Sequence, residues 1–167
     1  MALFDGLIEE IVNYLQTSSV LSDMDFTAEY PLNTKPHPLK RIHVSIGLRS
    51  VKAENAAFGE YLGMSGQGEI YGKKIAVSLR ANIYTPKSFG GNGCFEAFSR
   101  ICDSLFLQNA QRLGITGISC GTVSYHRDAG AFLLDVDIQL ATYVGQQVDD
   151  ALMGDIVVRG EAYEREE

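Results

Sequence analysis

The sequence predicts an α+β fold: a single domain with a mixed or antiparallel sheet of long strands packed by two helices, a long inter-strand loop and an acidic C-terminal tail. Three observations carry this reading. Ile75, Val77, Leu79, Ala81 and Ile83 alternate with Lys74, Ser78, Arg80, Asn82 and Tyr84, a period of two that gives a strand one buried face and one wet face. Just beyond it, Phe95, Phe98, Ile101, Cys102, Leu105 and Phe106 recur at helical spacing, as a core-facing helix requires. Alternation is present again at 42–48 and 132–140, so long strands outnumber helices.

From the N-terminus, Phe4, Leu7, Ile8, Ile11, Tyr14 and Leu15 fall on one side of a helix over Leu3–Thr17, with Glu9, Glu10, Asn13 and Gln16 opposite. A short strand near Phe26–Tyr30 interrupts a connector that carries Pro31, Pro36 and Pro38. Between Arg41 and Arg49, Ile42, Val44, Ile46 and Leu48 point inward and Arg41, His43, Ser45 and Arg49 outward. Residues 52–68 lose the alternation, and Gly59, Gly63, Gly66 and Gly68 mark a flexible link between two long strands. Phe58, Tyr61, Leu62 and Met64 lie inside that link. A purely solvated loop has no use for them, so they either fold back on the body or lie under another chain.

Pro86 has no N–H to give and ends the next strand. Gly90, Gly91 and Gly93 then form a loose joint to the second helix, which runs to about Leu113, with Gly114 placed for a left-handed cap. A hairpin closes the body, with strands over Ile118–His126 and Phe132–Tyr143 and a turn at Arg127, Asp128, Ala129 and Gly130. Phe132, Leu134, Val136, Ile138 and Leu140 face inward; Asp135, Asp137 and Gln139 face out. The domain is expected to span residues 1–145, with 146–167 an acidic extension.

The chain has 167 residues, 46% hydrophobic and 21% charged, enough for one ordinary core. Its net charge is −7. Residues 149–167 hold seven acids against two arginines, a net −5, which leaves −2 for the body. A near-neutral body with an acidic tail argues against binding to nucleic-acid backbone, which needs clustered Lys and Arg. Cys94, Cys102 and Cys120 show no paired spacing. Cys94 and Cys102 lie about 12 Å apart along a helix, too far for a disulfide, so buried thiols in a reducing compartment are expected. The start, MALFDGLIEE, is acidic where an export signal is basic, and no apolar run is long enough to span a membrane.

Reactive patterns are weak. Gly117-Ile118-Ser119-Cys120-Gly121 matches the G-x-S-x-G nucleophile motif, but a helix precedes it and a strand follows, the reverse of a nucleophile elbow. The Gly90–Gly93 joint lacks the Lys-Ser/Thr of a phosphate loop. Asp135 and Asp137 share a wet strand face, and His37, His43 and His126 have no ligand spacing. No catalytic, metal or cofactor residue is therefore assigned. Arg41, Arg49 and Arg80 project from polar strand faces, toward acids on neighbouring strands or toward a neighbouring subunit.

Four segments together resemble the tail-terminator, or tail-completion, proteins of tailed bacteriophages and phage-tail-like bacteriocins. They are LFDGLIEEIVNYL, KKIAVSLRANIYTP, GGNGCFEAFSRICDSLF and the hairpin CGTVSYHRDAGAFLLDVDIQLATYV with its Arg-Asp-x-Gly turn. The resemblance covers about residues 3–144 and leaves the 52–68 link and the tail unmarked. It implies a homo-oligomeric ring, usually of six subunits, that caps the last ring of a tail tube, ends polymerisation and has no enzyme activity and no cofactor. In contractile systems such a ring also engages the sheath; in a phage it faces the head connector. It implies no specific nucleic-acid binding, although DNA can pass through the ring, no membrane partner, and a place in a virion tail or headless particle assembled in the bacterial cytoplasm. A head–tail connector of similar layout is the alternative, with a small hydrolase using Ser119 behind it. Arg41, Arg49, Phe58, Tyr61, Leu62, Met64, Arg80 and Tyr84 are the expected contacts to a second subunit or the tube.

Overall fold

The computed structural model describes residues 3–29, 39–55, 60–65, 68–107 and 113–149. The element order is helix α1 (Leu3–Thr17), a 3-10 turn (Ser19–Leu21), strands β1 (Met24–Ala28), β2 (Ile42–Asn55), β3 (Tyr61–Ser65) and β4 (Gly68–Pro86), a 3-10 turn (Lys87–Phe89), helix α2 (Asn92–Leu107), and strands β5 (Ile115–Cys120), β6 (Ser124–His126) and β7 (Ala131–Asp149). Among the described residues these strands make one sheet in the order β1-β2-β4-β7-β5, with β3 on β4 and β6 on β7. The sheet is mixed: β1 runs parallel to β2, from Met24↔Ile42 to Ala28↔Ile46, whereas β3 on β4 and both β5 and β6 on β7 are antiparallel. The architecture is α+β, as the alternation of long strands with two helices implied.

The chain divides into two compact units. The first holds residues 1–53 and 75–142. Its core takes Ile42, Val44 and Ile46 from β2, Val77, Leu79, Ala81 and Ile83 from β4, and Leu134, Val136, Ile138 and Leu140 from β7. These are the alternate residues that period-two spacing selects. Ile11, Val12 and Leu15 of α1 and Cys94, Ala97, Ile101 and Leu105 of α2 pack on them. The Tyr14 hydroxyl donates to the Ser104 carbonyl at 3.0 Å and fastens the helices to each other. Gln16 Nε2 donates to the Phe26 carbonyl at 2.7 Å and ties α1 to β1. Arg100 grips Asp23 with Nη1 at 2.9 Å and Nη2 at 2.5 Å, anchoring α2 to the turn before β1.

The strand-to-helix joint forms as its glycines suggest. Gly90 adopts φ +67°, a conformation side chains resist. Thr85 and Cys94, both fully buried, share a hydrogen bond of 3.0 Å across the joint. Burial pushes the Cys94 thiol up, against the opposing pull of Thr85, so it stays protonated. The expected hairpin turn is present too, with Gly130 at φ +59° and its N–H donating to the Arg127 carbonyl at 3.1 Å.

Several expectations need correction. The stripe on α2 is rotated by one residue. Cys94, Ala97, Ile101, Ser104 and Leu105 are buried, whereas Phe95 and Phe106 are 47% and 51% exposed. Hydrophobicity favoured the two phenylalanines, but the small residues let the helix sit close to the sheet. Leu48 is exposed at 42%, because β1 has ended at Ala28, opposite Ile46, and no described strand pairs with β2 beyond that point on this edge. The first strand starts at Met24, two residues early. The 52–68 segment is mostly strand: β2 continues to Asn55 and β3 occupies Tyr61–Ser65. Its alternation is hidden by a bulge, since the register slips between Tyr61 and Gly63 while Gly63 adopts φ +139°. The closing hairpin is also interrupted, with 121–123 separating β5 from β6. β7 runs to Asp149, four residues past the expected domain boundary. The acidic segment beyond it, Phe58, the prolines at 31, 36 and 38, and the end of the second helix lie outside the described residues.

Candidate assembly interface

The second unit comprises residues 54–74 and 143–167, and its described part is strand throughout apart from Glu60. Two glycines bring its backbones together. A Cβ on Gly72 would meet the Val144 carbonyl oxygen at 2.1 Å, and one on Gly145 would meet Leu62 Cδ1 at 2.8 Å. Leu62 therefore lies over both glycines and is half-buried. Tyr61 and Tyr71 pack edge to face with ring centroids 5.7 Å apart. Lys73 pairs with Glu60 and donates to Asn55 Oδ1 at 2.7 Å.

Among the described residues this unit contributes no side chain to the buried hydrophobic core. Four of its described large apolar side chains are exposed: Met64 at 71%, Tyr143 at 59%, Val144 and Tyr61. Tyr143 and Val144 were missed in the sequence. Tyr143 closes the expected last strand and Val144 follows it, and their only signal was that apolar character continues past the last inward residue, Leu140.

In the first unit the face of the sheet away from the helices is polar. The three arginines behave differently on it. Arg41 binds Asp25 at 3.1 Å and the carbonyls of Ser22 and Asp23. Arg49 pairs with Asp137. Both are thus satisfied by their own chain, the first of the two alternatives left by their strand positions. Arg80 is exposed and makes no ion pair with a described residue. Tyr84, on the same strand, is half-buried, and Phe58 lies outside the described residues. Asn82, between Arg80 and Tyr84, carries a buried side-chain oxygen with no hydrogen-bond partner among the described residues. His43 is half-buried against Thr27, Oγ1 to Nε2 3.1 Å. Burial holds its pKa below the usual value, opposed by the Asp25 charge.

The candidate reactive groups do not converge. Ser119 sits next to the end of β5, opposite Asp137, with no helix leaving it. His126 accepts the Ala129 N–H at 3.3 Å and so belongs to the hairpin turn. Among the described residues no group of three or more His, Cys, Asp or Glu side chains is arranged to hold a metal ion, and no helix is long and apolar enough to cross a membrane. Cys94 is buried, Cys102 half-buried and Cys120 exposed, and all three are free thiols. Burial raises the Cys102 thiol, with Asp103 adding to the effect.

No known protein family and no curated protein matches the chain. Among solved structures it is similar to the sheath/tube terminator of PVC, an extracellular contractile injection system, in its extended state by cryo-EM. The TM-score is 0.40 and the identity 13%, over 100% of this chain. The chain spans 65% of the length of that protein. A likeness of this degree speaks to neither activity nor partners.

Proposed function

We propose that this chain is a non-enzymatic structural subunit that forms a ring, capping the last ring of a phage-tail-like tube and ending its growth. The carrying observation is the second unit: paired strands with exposed large apolar side chains and, among its described residues, none in the buried core. Two- or three-stranded arms are marginal alone, and exposed apolar groups on them call for a covering surface. A tube subunit or a second copy supplies one by strand addition, a recognition mode that uses backbone hydrogen bonds for affinity and side chains for specificity. The four sequence segments resembling tail terminators favour the same reading. Growth halts because the ring's far face offers the next tube ring no matching edge, and weak contacts repeated around the ring sum by avidity.

In this reading Tyr61, Leu62 and Met64 meet the tube or a neighbour, with Arg80 and Tyr84 as further contacts, and the ring has six subunits. It engages a sheath where one is present and resides in the particle's tail.

The direct test adds purified protein to growing tubes of the cognate tube subunit, viewed by negative-stain electron microscopy. Added density at one tube end and arrested elongation are expected. Tubes that elongate unchanged at saturating protein would contradict the proposal. Deleting residues 54–66 should leave a folded chain that no longer caps.

A further inference from the structure

The first unit has a groove of about 350 Å³ at one end of its strand order. Ile8 and Glu9 of α1, Ala28 and Glu29 at the end of β1, and Ile46 and Leu48 of β2 line it. It exists because β1 stops at Ala28 while β2 runs on, so Leu48 is left 42% exposed. Gly47 shapes the floor. A Cβ there would fall 1.7 Å from Glu29 Oε2, so only glycine lets the Glu29 side chain cross the β2 backbone. Neither Glu9 nor Glu29 makes an ion pair with a described residue. The groove thus combines apolar walls with two carboxylates that pair with no described residue.

The opposite end of the strand order presents the complement. Strand β6 pairs Tyr125 with Phe132, which places both rings on the helix-covered face; they meet edge to face with centroids 5.2 Å apart. Phe132 packs on the core, and Tyr125 extends that apolar layer into solvent, 46% exposed. Two residues on, Arg127 is exposed in a turn held by Gly130 and His126, and it makes no ion pair with a described residue. Asp128 follows it, so recognition rests on the reach of the guanidinium and not on net charge.

We propose that these two ends bind each other between copies of the chain. The Tyr125 ring of one copy enters the neighbour's groove against Leu48 and Ile8, and its Arg127 meets the neighbour's Glu9 and Glu29. Both surfaces lie on the helix-covered side of the sheet, so a head-to-tail contact keeps the layers aligned. Two different patches joined this way make a heterologous interface, which closes into a ring if its rotation allows. Burying an aromatic anchor beside a charge pair is the usual composition of an interface hot spot. The inference rests on the ring proposed above and specifies which surfaces build it.

Sedimentation of the full chain over a range of concentrations tests it. Wild type should pass from an 18.3 kDa monomer to a closed oligomer. Arg127→Glu, in an exposed turn, should weaken association at least about tenfold, Glu9→Arg should do the same, and the two together should restore it. A benzophenone amino acid at position 125 should cross-link isotopically distinct copies at peptides around Leu48. Unchanged association of Arg127→Glu, no rescue by the pair, a wild type that stays monomeric, or a cross-link within one copy, such as to residues 30–38, overturns the inference. Tube capping is scored separately: tubes still capped by Arg127→Glu as by wild type would remove this interface and leave the terminator reading standing, whereas wild type that never caps would remove that reading.

Discussion

Replacing Met64 by Ser separates folding from assembly. Full burial of a methionine side chain is worth about 1.5–3 kcal/mol. Met64 is 71% exposed in the chain, so less than a third of that contributes to folding, under about 1 kcal/mol. If a tube subunit or a second copy covers the rest, about 1–2 kcal/mol per copy is lost from assembly, roughly five- to thirtyfold in each contact. Repetition around a ring multiplies the loss. Urea unfolding should show a midpoint close to wild type with an unchanged slope. Titration of tube ends, scored by electron microscopy, should require far more of the variant. Equal capping by the two proteins would refute the reasoning, and so would a collapse in unfolding midpoint, which would mean that Met64 is part of the fold and not of an interface.

Leu79→Asp should abolish the native state, seen as loss of cooperative thermal unfolding, because Leu79 is fully buried in the strand at the sheet centre and an unpaired carboxylate there has no partner. Gly114→Ala should cost more than Gly130→Ala. Both glycines have φ near +60°, which costs a side chain about 1–2 kcal/mol, but a Cβ at 114 also meets the Ala141 carbonyl oxygen at 2.3 Å while one at 130 meets nothing within 4 Å. Chemical denaturation of the two variants measures the difference, and equal losses would count against the close approach. His43 should titrate below 6.5 by NMR, because burial disfavours its charged form more than Asp25 favours it. A base depressed in the folded state stabilises the fold above its unfolded pKa, and this contribution falls away as pH drops below about 6.5 toward the folded value. His43→Gln should flatten that part of the pH–stability curve, and an unchanged slope would assign it to other groups.

The sequence was most legible where one physical rule dominated. Alternation over 75–83 located β4 because one face of the sheet is apolar and the other polar, and glycine chemistry located the joint at Gly90 and the turn at Gly130. It was least legible where tertiary packing chose among residues of similar character. Ala97 and Ser104 are buried on α2 because small side chains allow close approach, while the more hydrophobic Phe95 and Phe106 are turned out. In β3 a one-residue bulge at Leu62–Gly63 erased the period that would have revealed a strand. The parallel pairing of β1 depends on a connection through 30–41 that no periodicity records. Of the candidate interface, Tyr61, Leu62 and Met64 were visible as apolar residues in a glycine-rich stretch. Leu48 was read as core, because its exposure depends on where β1 stops, a property of a different segment. Tyr125 and Arg127 stood out only as parts of a turn.

The measurement closest to the central claim is the length distribution of tubes assembled with and without this protein, all other components held equal. The terminator reading requires uniform tubes with finished ends when the protein is present and a broad, overlong population when it is withheld. Tubes of the same narrow length and the same finished ends in its absence would contradict it.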